Sequence, residues 1–172
     1  IPKPKLKRVR FFLSLNMPKN QSLTVAEAQK KLEQYCAYQE RCHKEVADKL
    51  KELGMIPAAM DTIISQLIQD NYLNETRFSQ SFARGKFRIK KWGKNRIVRE
   101  LKLRYISDYN IKMGMKEISD RDYDSTFYQL FEKRKLEVAH LSKLEQKKKI
   151  HSYLSYRGWE HPRIYNALNE LL

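Results

Sequence analysis

The sequence predicts an all-α fold of three tandem three-helix repeats stacked into an elongated, curved array, and three observations lead there. Glycine and proline are scarce, at five each in 172 residues, while 32% of the chain is charged and 41% hydrophobic, a balance that favours helices with one solvated face. Apolar residues recur at i and i+4 within segments. The segments themselves also recur: Val46, Ile97 and Ile150 are separated by 51 and 53 residues, and the same two offsets join Leu50 to Leu101 and Leu154.

Both offsets persist through Met60, Ile111 and Ile164, then Ile64, Met115 and Leu168, then Leu67, Ile118 and Leu171. Gapless agreement over five apolar columns is more than three generic amphipathic helices of similar length would give. The first two columns stand at i and i+4 and the last three at i, i+4 and i+7, so each set shares one helix face. Between them lie Gly54-Met55-Ile56-Pro57, Tyr105-Ile106-Ser107-Asp108 and Gly158-Trp159-Glu160-His161, each a helix stop followed by a fresh start. Ser107 suits an N-cap and Pro57 a first helical turn, and Met55, Ile106 and Trp159 put a large apolar residue into each corner.

Upstream of each pair a further helix is marked by Ala28 with Leu32, Phe78 with Phe82 and Phe127 with Phe131, read as core by their spacing. From the second of these to the next helix's first column the separations are 14, 15 and 19 residues, so the third copy carries about four extra residues near positions 140–143, in a loop or a longer helix end. The repeats are expected over 24–73, 74–119 and 120–172, after a basic N-terminal arm over 1–23 in which Lys3, Lys5, Lys7, Arg8 and Arg10 meet no acid. A unit of this size buries little core alone, so neighbours should share apolar surface.

The net charge of +15 predicts an anionic partner, and the charge is not spread evenly. Residues 24–73 hold six basic and eight acidic side chains, whereas 74–119 hold 13 and four. Between positions 84 and 104 stand Arg84, Lys86, Arg88, Lys90, Lys91, Lys94, Arg96, Arg99, Lys102 and Arg104 against one acid, Glu100. Such one-signed density costs self-repulsion, which a phosphate backbone or an acidic protein groove would offset; a surface serving solubility is the alternative. All ten are candidate contact residues. Arg96 and Arg99 flank the core columns at Ile97 and Leu101 and should project outward from that fixed frame. Trp92 could stack on a base, but beside Gly93 it reads better as a wedge between helices, and Tyr72 and Tyr123 should seal the joints between units.

Catalytic chemistry finds no foothold. The sequence has no phosphate-binding glycine loop, no GxSxG and no HExxH; His43, His140, His151 and His161 are scattered; Cys36 and Cys42, six apart, make neither a CxxC nor half of a zinc site. Asp120, Asp122 and Asp124 alternate at a helix junction, where N-capping explains them more simply than metal binding. A non-enzymatic protein without metal or cofactor is the expectation. With no targeting segment and no apolar run near the roughly 20 residues that span a bilayer, a soluble, cytoplasmic monomer is expected, with no membrane partner.

The second unit contains Asn71-Tyr72-Leu73-Asn74-Glu75-Thr76-Arg77-Phe78, then Phe82-Ala83-Arg84, then Trp92-Gly93-Lys94-Asn95-Arg96-Ile97-Val98-Arg99-Glu100-Leu101. These words and their spacing resemble the RecX family, with Asn71 where a glycine is usual and with the insertion in the third unit as a second departure. The resemblance covers about residues 24–172 and implies a regulatory protein that lies along the groove of the RecA filament on single-stranded DNA. There it would usually inhibit ATP hydrolysis and strand exchange, and so act on recombination, DNA repair and the SOS response, although some relatives assist RecA instead. Two other readings stay open on the residues alone: an independent helical DNA-binding protein that needs no RecA, and a structural adaptor for another acidic protein.

Overall fold

The computed structural model describes residues 23–171, and the basic arm expected over 1–23 lies outside them except for Leu23. The described residues form α1 (Val25–Tyr38), α2 (His43–Glu52), α3 (Pro57–Gln69), α4 (Glu75–Lys90), α5 (Lys94–Lys102), α6 (Asp108–Met115), α7 (Asp120–Glu137), α8 (Lys143–Tyr156) and α9 (His161–Leu171), with no strand among them. Helices pack in threes, α1 to α3, α4 to α6 and α7 to α9, which is the tandem three-helix organisation.

Local chemistry starts and stops these helices. Thr24 and Ser142 build capping boxes with Glu27 and Glu145, and Asn74, Ser107 and Ser119 each accept a backbone N–H from three residues on. Ser119, rather than the alternating aspartates, caps α7; Asp120 and Asp122 add only first-turn charge. The middle helix of every unit closes in one way. Gly54, Tyr105 and Gly158, related by the repeat offsets, all take positive φ (77°, 58° and 83°), and the next N–H reaches back to the carbonyl of Leu50, Leu101 or Leu154 at 3.1, 3.2 and 3.2 Å. Asn71, at φ 57°, performs the glycine's part in the turn that ends the first unit.

The repeat columns become the core. Val46, Ile97, Ile150, Leu50, Leu101 and Leu154 are fully buried, and the corner residues Ile106 and Trp159 are buried as well. Two details differ from the periodic expectation. α6 stops at Met115, so Ile118 enters the core from the following turn, and Leu171 is exposed. In α4 the buried positions are Phe78, Ser79, Ala83 and Phe87, which leaves Phe82 only partly covered, because α6 approaches so closely that Gly114 lies against the Ser79 backbone. The four extra residues of the third unit become one added N-terminal turn of α8, a length that keeps Ile150 on the core face.

Two hydrophobic clusters result. One lies within the first unit and includes Leu32, Val46, Leu50, Ile63 and Leu67, with Tyr72 packed on it rather than sealing a joint. The other runs without a break through the second and third units and takes in Cys42 from the first. Burial pushes the Cys42 thiol up from its ordinary range, so it acts as a small apolar side chain.

Candidate functional site

Helix α5 sets the frame of the basic region. Ile97 and Leu101 point into the core, which turns Asn95, Arg99, Lys102 and Leu103 to solvent. With Lys94 and Val98 these residues line a shallow depression of about 440 Å³, whose apolar floor is rimmed by cations. Exposed Arg88 and Lys90 stand at the end of α4, and half-buried Lys91 closes that helix with φ 54°.

The ten sequence-predicted cations are not equivalent. Several pair with acids: Arg84 with Glu117 (2.9 Å), Lys94 with Asp120 (3.2 Å), Lys102 with Asp108 (3.6 Å) and Arg104 with Glu100 (3.0 Å) and Glu45 (3.6 Å). Lys86 lies between the Phe82 and Trp92 rings. Arg96 does not project outward. Its guanidinium sits over Trp92 (4.2 Å) and Tyr156 (4.7 Å) and donates to the Tyr156 carbonyl (2.8 Å), so it clamps the second unit to the third. Flanking a core position put it at the edge of the buried stripe, where the next unit covers it. Arg88, Lys90, Lys91 and Arg99 remain without an ion pair among the described residues, and of these Arg99 alone lines the depression.

The joint beneath this face is hydrogen-bonded and packed around Tyr123. The Tyr123 hydroxyl accepts the Lys94 N–H (2.9 Å) and donates to the Glu160 carboxylate (2.8 Å), while the ring stacks on Trp159 at 4.4 Å. Burial, with the Glu160 charge beside it, holds the Tyr123 hydroxyl protonated well above the ordinary tyrosine range. Trp92 is a partly buried wedge against the same core, as its sequence setting suggested.

One cluster escaped sequence reading. His151 and His161, apparently isolated, bring Nε2 and Nδ1 to 3.3 Å with their rings stacked, and Tyr165 packs on His151. The sequence signal was slight: His151 follows the buried repeat position Ile150, and His161 opens α9. Among the described residues no group of three or more His, Cys, Asp or Glu is placed to hold a metal, and no helix is long and apolar enough to cross a membrane.

Comparison with known proteins agrees with this architecture. The family model for the RecX second three-helix domain matches residues 74–115, which are α4 to α6. The regulatory protein RecX of Bacillus cytotoxicus is 26% identical over 137 residues, covering 80% of this chain and 51% of that protein, and RecX of Bacillus cereus strain B4264 gives the same figures. The chain thus spans about half the length of these relatives. The crystal structure of RecX from Lactobacillus salivarius superimposes with a TM-score of 0.74 at 24% identity, over 86% of this chain and 96% of that one. A second crystal structure of a regulatory protein RecX gives 0.75 at 17%, over 85% and 73%. The second unit thus matches the family model of the RecX second three-helix domain, and the order of three-helix units around it is similar to that of the RecX crystal structures.

Proposed function

We propose that the chain regulates the RecA recombinase by lying along the groove of the RecA filament on single-stranded DNA, where it slows ATP hydrolysis and strand exchange in recombination, repair and the SOS response. It does so as a cytoplasmic monomer without chemistry of its own. The units at 24–73, 74–119 and 120–172 form the stacked, curved body, and the second supplies the main contact. The observation that carries the reading is the outward face of α5. Arg99 stands there without an ion pair among the described residues, beside Lys94 and Lys102, whose acids, Asp120 and Asp108, are themselves exposed and screened by solvent. Exposed Leu103 and partly buried Val98 give the same surface an apolar footing that a protein groove can cover and a bare phosphate backbone would not use.

The test is RecA's DNA-dependent ATP hydrolysis on circular single-stranded DNA. Substoichiometric chain should slow it, and R99E/K102E should need about ten times more protein for the same effect, the loss of roughly 1.4 kcal/mol of contact. Equal potency of variant and wild type would refute the assignment of this face. Binding to DNA that falls steeply with salt and leaves RecA untouched would instead identify an independent DNA-binding protein.

A further inference from the structure

A second cationic site lies on the third unit, away from the α5 face. A groove of about 360 Å³ runs between α8 and α9, lined among others by Lys147, Lys148 and His151 on α8 and by Tyr165 and Asn169 on α9. His161, at the start of α9, adjoins the lining residue His151, with Nδ1 3.3 Å from its Nε2. Among the described residues no carboxylate side chain lines the groove. The nearby charged groups are engaged elsewhere: Glu160 holds Tyr123, Asp124 of α7 holds Arg163, and Arg134 of α7 lies over Tyr153 and pairs with Glu137.

We infer that this groove binds the phosphodiester backbone of single-stranded nucleic acid and that binding is coupled to proton uptake by the His151–His161 pair. The two ring nitrogens can share one proton in an N–H···N hydrogen bond. With both rings protonated, two N–H donors face each other at 3.3 Å, an arrangement that an anion accepting from both stabilises and that repulsion opposes without one. Lys147 and Lys148 add charge that does not change over the same pH range. Tyr165, 55% exposed and packed on His151, offers a ring face to a base, which favours a single strand over an acidic peptide. By linkage, affinity must rise as pH falls through the imidazole range and decline as pH rises.

The test uses the whole chain, labelled oligothymidylate at fixed ionic strength, and no RecA, so its outcome is independent of the regulatory reading. Affinity should rise about tenfold from pH 8 to pH 6. H151Q/H161Q should bind like wild type at pH 8 and show no such rise. K147Q/K148Q should weaken binding at every pH without changing the slope. Histidine ring resonances of the wild-type chain should move toward the imidazolium position on adding oligothymidylate, a readout that needs no variant. A flat wild-type profile, a slope that survives in H151Q/H161Q, or unmoved ring resonances would overturn the inference. Competition by poly-glutamate as effective as by oligothymidylate would overturn the assignment to nucleic acid.

Discussion

The two joints of this molecule solve one stacking problem by different means. Between the first and second units the ties are charged side chains: Arg77 to Glu40 (2.9 Å), His43 to Glu75 (2.9 Å) and Arg104 to Glu45 (3.6 Å), and among the described residues of the first unit Cys42 alone joins the neighbouring core. Between the second and third units the ties are backbone and ring. Gly93 N–H donates to the Arg157 carbonyl (2.8 Å), Asn95 N–H to the Gly158 carbonyl (3.1 Å), and the Phe87 ring of the second unit lies 5.9 Å from Tyr123 of the third within one continuous core. Ion pairs at partly exposed sites tolerate substitution and weaken with salt, whereas close-packed backbone tolerates neither added atoms nor lost ones. The second and third units therefore behave as one body to which the first is hinged by charge.

Substitutions at the two joints sharpen that contrast. The largest effect belongs to Gly93→Ala: an added methyl would come within 2.6 Å of the Trp159 nitrogen and press on the Gly158 backbone, which cannot yield as a side-chain tip could. We expect a loss of about 2–3 kcal/mol in urea unfolding. Next comes Tyr123→Phe, which strands the Lys94 N–H and the Glu160 carboxylate and should cost about 1–2 kcal/mol.

The same tyrosine makes the second joint alkali-sensitive. Its folded pKa is raised, so its contribution is complete below the unfolded value near 10 and is lost as pH climbs above it. Melting temperature should fall there in wild type and less in Tyr123→Phe.

A smaller change is expected at the first joint. Arg77→Ala removes hydrogen bonds to Glu40, Asn71 and Tyr72 and should cost about 1 kcal/mol, a figure that shrinks at high salt; equal loss at low and high salt would mean the hinge is not held by charge. Smallest, and of opposite sign, is Tyr105→Gly. This exposed tyrosine holds the left-handed position that Gly54 and Gly158 fill in the other units, so glycine should stabilise by about 1 kcal/mol, read as a higher melting temperature.

Much of the fold could be read from the chain because a repeated module writes its core three times. The columns through Val46 and Leu50 identified the buried faces, and the four-residue insertion, open between a loop and a longer helix end, marked the region where α8 is longer. What escaped was set by contacts between units. Arg96 occupies an outward-leaning helical position that the third unit happens to cover, and no periodicity within one helix can reveal that. Counting charge along the chain likewise overstated the bare cation surface, because Glu45, Asp120 and Glu117 come from elements far from positions 84–104. His151 and His161, ten apart, meet only because the α8–α9 corner folds one over the other.

The claim on which the functional account rests is local: the outward face of α5, and not net charge in general, holds the filament. Binding to preformed RecA filaments on single-stranded DNA should therefore be compared for wild type, R99E/K102E and K30E/K31E, the last reversing two exposed charges on α1. The account predicts about a tenfold loss for R99E/K102E and little change for K30E/K31E, with helicity intact in both. Equal losses in the two variants, or none in either, would contradict it.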